Sequence, residues 1–261
     1  MVRSGQTAVV TETLVLNGEP LPTVTLELLR ATSYGHFSSM QVRDGRVDGL
    51  DLHFERLDRS SREVFGQPLD ADRVRRDLRT ALAQERDCSL RVNVFSLGGD
   101  LDVLIRRSEP IEPGTTPLRL RPIQHQRALP HLKHTGTFDL IYHARQATAA
   151  GYDDAIFHTA AGEISEASIW NICFARGTTI VFPAARVLAG IRQQVLQRGL
   201  ATFEMRPVHF DDLSTYDAAY LTNSIDPALP VAAIGARTFA PHPESAATIA
   251  AAYASQEAQA I

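Results

Sequence analysis

The sequence predicts an α/β (α+β) fold divided between two domains. Three observations lead there. Alternating, β-branched segments closed by turn dipeptides recur along the chain, segments of helical apolar spacing are interleaved with them, and residues 108–117 hold three prolines and a glycine between regular elements. Few contacts are expected to cross such a stretch, which sets domains at residues 1–112 and 118–261.

In chain order, residues 7–16 alternate and close at Asn17-Gly18, which is strand and turn chemistry. Residues 37–43 and 46–50 flank Asp44-Gly45, a dipeptide of tight hairpins. Asp51 is placed to cap a helix whose Phe54, Leu57, Ser61, Val64 and Phe65 share a face, with Gly66 as its stop. Asp70 or Asp72 opens a second helix to about Gln84. Residues 89–95 and 101–106 pair across Gly98-Gly99, which completes a unit of strands bearing two helices.

Beyond the junction, residues 118–122 read as a strand and 138–150 as a helix ended by Gly151. Short strands follow at 154–159, 172–176 and 179–182, and Gly190 starts a helix to about Arg198. Strands at 204–208, 218–222 and 231–234 bracket a short helix at 211–214. An alanine-rich helix at 243–256 closes the chain.

With 261 residues, 44% apolar and 21% charged, the chain has material for one large core or two smaller ones. A net charge of -4, with arginines scattered among acids, leaves no basic footprint for nucleic acid. No segment reads as a membrane span, and residues 1–4 lead into an alternating segment without a secretory core, so the expected compartment is the cytoplasm. Cys88 and Cys173 lack ligand-like spacing and are expected to be buried free thiols.

Lys133 is the one lysine among 26 basic residues. Guanidinium stays protonated at any workable pH, so an amine that must lose its proton and attack a carbonyl cannot be replaced by arginine. Such a lysine serves a carbonyl substrate or pyridoxal phosphate. The second requires a carboxylate for the pyridine nitrogen, and free backbone N–H groups with a hydroxyl and an arginine for the phosphate. Glu166, the helix start at Gly190-Ile191-Arg192, the hydroxyls of Thr222-Asn223-Ser224 and Arg56 are candidates, each ordinary by itself. Glu166 lies between two expected strands, and Arg56 lies off the apolar face of its helix. His131 and His134 have a metal-like interval but no evident third ligand.

The order and flanks of these segments resemble the class IV aminotransferases, the fold-type IV pyridoxal-phosphate enzymes. Leu52-His53-Phe54-Glu55-Arg56-Leu57 is similar to that family's first-domain helix, and Leu132-Lys133-His134 to its Schiff-base segment. Residues 162–174 resemble the signature Gly-x-x-Ser/Thr-Glu…Asn-x-x-Phe; Leu188-Ala189-Gly190-Ile191 matches its phosphate-binding helix start, and residues 220–231 match its hydroxyl-donating strand. The resemblance implies two α/β domains with mixed sheets flanked by helices, pyridoxal 5'-phosphate between them, small amino and oxo substrates, and a homodimer. By it, Lys133 forms the Schiff base and moves the proton, Glu166 meets the pyridine nitrogen, and Arg56, the amides of Ile191 and Arg192, and Ser224 hold the phosphate.

Three departures bear on the substrate. Phe138 stands where several aminotransferases have tyrosine, leaving Tyr142 as a possible hydroxyl source. Arg192-Gln193 replaces Thr-Arg or Met-Arg, and the hairpin at residues 34–39 is short. Arg127, Arg145 and Arg192 are available to contact substrate carboxylates. Transamination is the leading activity. A lyase releasing pyruvate from aminodeoxychorismate is the alternative within the family, with Phe37-Ser38-Ser39 in its favour, and a non-catalytic cofactor or small-molecule binder is the alternative outside catalysis.

Overall fold

The structure, a computed structural model, describes residues 13–20, 34–96 and 99–261. The expected strand over 7–12 and the first glycine of Gly98-Gly99 lie outside those residues.

The first sheet contains β1 (Thr13–Leu16), β2 (Glu19–Pro20), β3 (His36–Val42), β5 (Cys88–Phe95) and β6 (Asp102–Ser108), in the antiparallel order β2-β1-β6-β5-β3. Its turns form where the dipeptides predict: Asn17 and Gly18 have φ of 52° and 87°, Asp44 and Gly45 of 51° and 72°. Period-two alternation divides the sheet. Met40, Val42, Leu90, Val92, Val94 and Ile105 pack with Leu57, Val74 and Leu78 of two helices, α1 (Leu50–Phe65) and α2 (Ala71–Leu82). Phe37, Ser39, Gln41, Ser89, Arg91 and Arg106 line a cavity instead.

One boundary differs from expectation. The strand β4 is only Arg46–Val47, Leu50 already begins α1, and the N-cap is Gly49 in the left-handed region, with no side-chain cap. Asp51 does not cap the helix; its carboxylate pairs with Arg198 at 2.7 Å. Asp70 caps α2 as expected, accepting from the Arg73 N–H at 2.9 Å.

The second sheet has nine strands: β7 (Leu118–Gln124), β8 (Asp154–His158), β9 (Ile164–Ala167), β10 (Asn171–Arg176), β11 (Thr179–Pro183), β12 (Glu204–Arg206), β13 (Ala218–Thr222), β14 (Leu229–Ile234) and β15 (Arg237–Thr238). The order is β12-β11-β10-β13-β14-β7-β8-β9, with β15 on β14, and β9 also pairs with β10 through Glu166 and Asn171. That last pairing closes strands β10, β13, β14, β7, β8 and β9 into a ring around Leu120, Ile156, Ile172, Phe174 and Leu221. The pairings β14–β7 and β7–β8 are parallel. Helices α3 (Phe138–Ala149), α4 (Ile191–Gly199) and α5 (Pro243–Ala254), with a short 3-10 helix at Phe210–Thr215 where one was expected at 211–214, complete this part. The terminal strand β16 (Gln259–Ala260) returns to pair with β4.

The strand β9 corrects the reading of Glu166 as lying between strands. All four residues of β9 are buried, so Ile164-Ser165-Glu166-Ala167 shows no alternation that could mark it as a strand. Cys88 and Cys173 are buried free thiols, pushed up to about 11 and about 12 by desolvation.

Candidate active site

A cavity of about 400 Å³ lies between the β3/β5/β6 face, the loop from β7 to α3, the β9–β10 turn and the start of α4. Its wall includes Arg56, Arg127, Lys133, Glu166, Gly190, Ile191 and Ser224.

The loop bearing Lys133 is stitched to the start of β3. The Phe37 N–H donates to the Lys133 carbonyl at 2.9 Å, the Thr135 N–H donates to the Gly35 carbonyl at 2.9 Å, and His36 forms a bridge with His134. Backbone pairing thereby fixes where the lysine begins, and its Nζ lies 4.8 Å from the centre of the Phe37 ring. Burial first, then the charges of Arg56, Arg127 and Arg91, lower the amine to about 7, with Glu166 opposing. A large neutral fraction at physiological pH makes this amine a nucleophile and a base.

Glu166 is 5% exposed. Its Oε1 is 3.5 Å from Arg127 Nη1 and its Oε2 accepts from the Leu188 N–H at 3.4 Å. Both contacts are long, and desolvation outweighs them, raising the carboxyl to about 7. A cationic N–H donor beside it would restore the carboxylate.

Arg56 is 4% exposed although it lies off the apolar face of its helix. Leu52, His53 and Ser60 of α1 share its buried side, because positions three and four apart line up along a helix. Arg56 Nη2 donates to Ser38 Oγ, which also sits 2.6 Å from His53 Nδ1. His53 is held well below the usual imidazole range by burial and then by Arg56, so its ring is neutral. Arg56 Nε is buried without a partner. A buried guanidinium with an unused donor is a strong demand for an anion.

Gly190 is the N-cap of α4. A Cβ on it would lie 1.9 Å from Asn171 Oδ1, whose own amide donates to the Leu188 carbonyl at 2.8 Å. Only glycine lets Asn171 brace this helix start, whose first N–H groups have no intrahelical acceptor. Ser224 follows β13 by two residues, in a turn shaped by Asn223 Oδ1 accepting from the N–H groups of Ile225 and Asp226 at 2.7 and 2.8 Å. Arginine, free helix amides and a hydroxyl are a phosphate donor set, and a neutral amine with a carboxylate matches an aldehyde-bearing pyridine. The residues fit pyridoxal phosphate.

Several sequence readings fall elsewhere. Phe138 is 81% exposed, and it and Tyr142 are absent from the cavity wall, so Tyr142 supplies no hydroxyl there. Arg145 is exposed on α3; Arg192 pairs with Asp48; and Arg127, although on the wall, faces Glu166. Arg127 and Arg192 are thus already paired with carboxylates, and Arg145 is not on the cavity wall. His131 pairs with Glu63 at 2.7 Å while His134 Nε2 lies 3.2 Å from the Ala128 carbonyl, so they do not converge. Sequence reasoning missed Arg91 and Arg106, partners in the β5–β6 register on the cavity face; period-two spacing from Phe37 and Ser89 was the available signal.

Residues 35–234 match the model of the family described as amino-transferase class IV. The chain belongs to the class IV aminotransferases. It is therefore a pyridoxal-phosphate enzyme acting on amino and oxo acids, and the cavity has the donor set that cofactor needs. No curated protein matches the chain by sequence. Among solved structures, a hypothetical aminotransferase from Mycobacterium tuberculosis in its PLP-bound form is 21% identical, with a TM-score of 0.79 over 94% of this chain and 99% of that one. A branched-chain aminotransferase from Thermoproteus uzoniensis with norvaline is 20% identical, with a TM-score of 0.78 over 92% and 93%. A fold IV transaminase from Curtobacterium pusillum is 19% identical, with a TM-score of 0.72 over 92% and 97%. At these identities the structures share the fold. Among the described residues, no helix is long and apolar enough to cross a membrane.

Proposed function

We propose that the aminotransferase reaction runs on Lys133, with Glu166 opposite it and Arg56, the amides of Ile191 and Arg192, and Ser224 as the phosphate cradle. The observation that carries this reading is the buried amine near neutrality sharing one cavity with a buried carboxylate. Bound there, pyridoxal phosphate supplies a carbonyl for amines and a ring that accepts the electrons released at the substrate Cα. Lys133 would hold the cofactor through its amine and, with an amino substrate in its place, would take the proton at the substrate Cα and deliver it on the acceptor side. Glu166 holds a proton on the ring nitrogen. Arg127 beside it opposes the desolvation that raises Glu166 and so favours the ionised form. The cradle fixes one end of the cofactor, so that the amine meets the reacting carbon without a search.

Arg91 and Arg106 are the proposed carboxylate contacts. Arg91 lies on the cavity face with its guanidinium carbon 3.7 Å from the centre of the Phe37 ring, the same ring that Lys133 contacts. Burial and then Arg106 lower Arg91 to about 10, so an incoming anion relieves both causes.

A division into domains 1–112 and 118–261 belongs to this proposal, supported by separate cores on either side of the 108–117 stretch. So does a homodimer: Phe138, Ile141 and Tyr142 on α3, with Ile169 beside the cavity, are apolar and exposed. Free thiols at Cys88 and Cys173 suit a reducing, cytoplasmic setting. The test is amino transfer from a panel of amino acids to 2-oxoglutarate and pyruvate by wild type and Lys133→Ala. Transfer that persists in the variant refutes the role of Lys133. Pyruvate release from aminodeoxychorismate without an acceptor would assign the chain to the lyase instead.

A further inference from the structure

Arg192 occupies the first turn of α4, where a cation opposes the helix dipole. It is also where the sequence leaves the usual family pattern. Its side chain is not part of the cavity wall. The guanidinium pairs with Asp48, donates from Nη2 to the Ser224 carbonyl at 3.5 Å, and lies 5.5 Å from the centre of the Tyr253 ring. Its backbone carbonyl lies 3.1 Å from the Tyr253 hydroxyl, which donates to it.

Asp48 directly precedes Gly49, the N-cap of the helix that carries Arg56. Gly49 has φ of +64°, and a Cβ there would come within 2.8 Å of Val195 Cγ2 and 3.0 Å of Ile191 Cγ2. Helix α1 therefore starts in contact with the first turns of α4, and Leu52, Ile191 and Val195 form a buried cluster at the crossing. One carboxylate beside both helix starts is favourable to both dipoles and offsets the guanidinium on α4. Through Arg192, the α4 amides, the Ser224 turn and the entry to α1 are tied to a single group.

We propose that Asp48 and Arg192 form a positioning pair that sets the spacing of the anion cradle, aligning the α4 amides and Ser224 with Arg56. This rests on the cofactor reading above. The Arg192 side chain is 15% exposed and that of Asp48 40%, so the carboxylate left or removed at this pair still meets solvent, and the loss of the pair should register in the cradle more than in melting.

The test titrates apoprotein with pyridoxal phosphate, followed by absorbance, and with inorganic phosphate as competitor. Wild type is compared with Asp48→Asn, Asp48→Glu, Arg192→Gln and the Asp48→Asn/Arg192→Gln double variant. Asp48→Asn is expected to weaken both ligands about tenfold with a melting change of under about 2 °C, Asp48→Glu to restore binding, and Asp48→Asn to add nothing in the Arg192→Gln background. Unchanged affinity in Asp48→Asn, additive losses in the double variant, or a fall in melting temperature in place of a fall in affinity overturns the pair. A wild type that binds no pyridoxal phosphate overturns the cofactor reading as well, whereas a wild type that binds beside an unimpaired Asp48→Asn overturns the pair alone.

Discussion

The amine of Lys133, lowered to about 7, can be read directly because the chain has no other lysine. Reductive ¹³C-methylation of the protein labels this side chain and the α-amine, and Lys133→Arg identifies which NMR signal is which. At pH 7.5 an amine with a midpoint of about 7 is about three-quarters neutral, while an ordinary lysine is neutral about once in a thousand molecules. The neutral fraction thus differs by several hundredfold. Burial is the largest cause and Arg56 the next, so Arg56→Met should raise the midpoint by about one unit without returning it to the usual lysine range. Linkage has a definite sign. Between about 7 and 10.5 the unfolded chain binds a proton at this lysine that the folded chain does not, so this group makes folding more favourable as pH rises through that window. Lys133→Met should remove that part of the pH dependence of denaturation. A wild-type midpoint near 10, or an Arg56→Met midpoint that does not move, refutes the account.

Glu166→Gln should still take up cofactor but lose about 10²-fold in kcat, since the amide cannot hold the ring proton as a carboxylate does; steady-state rates beside an absorption spectrum check this. Arg91→Gln should raise KM for an oxo acid about tenfold and change kcat less, and an equal fall in kcat would place Arg91 in the chemistry. Phe138→Tyr should change kcat/KM less than about twofold, because the ring is 81% exposed and off the cavity wall; a large gain would mean that α3 shifts during turnover. Gly190→Ala should cost about 1–3 kcal/mol in chemical denaturation, since its Cβ would lie 1.9 Å from Asn171 Oδ1.

Much of the fold was legible because it is local. Asn17-Gly18 and Asp44-Gly45 adopt positive φ wherever they stand, Asp70 caps its own helix, and Phe37, Ser39 and Gln41 must share a sheet face. The strand β9 was not legible, since a segment covered on both faces carries no alternation. Nor was the start of α1 at Leu50, where contact with α4 and not Asp51 decides the boundary.

By itself the sequence determined the family, the single amine and the acid, helix start and hydroxyl that follow it, because each is a property of residue identity and short spacing. Only the tertiary structure decided that Lys133 and Glu166 both approach neutrality, since burial is collective. It likewise decided which arginines are already paired with carboxylates. Glu166 takes Arg127, and Asp48 takes Arg192 from 144 positions away, a separation at which no local pattern can specify a partner.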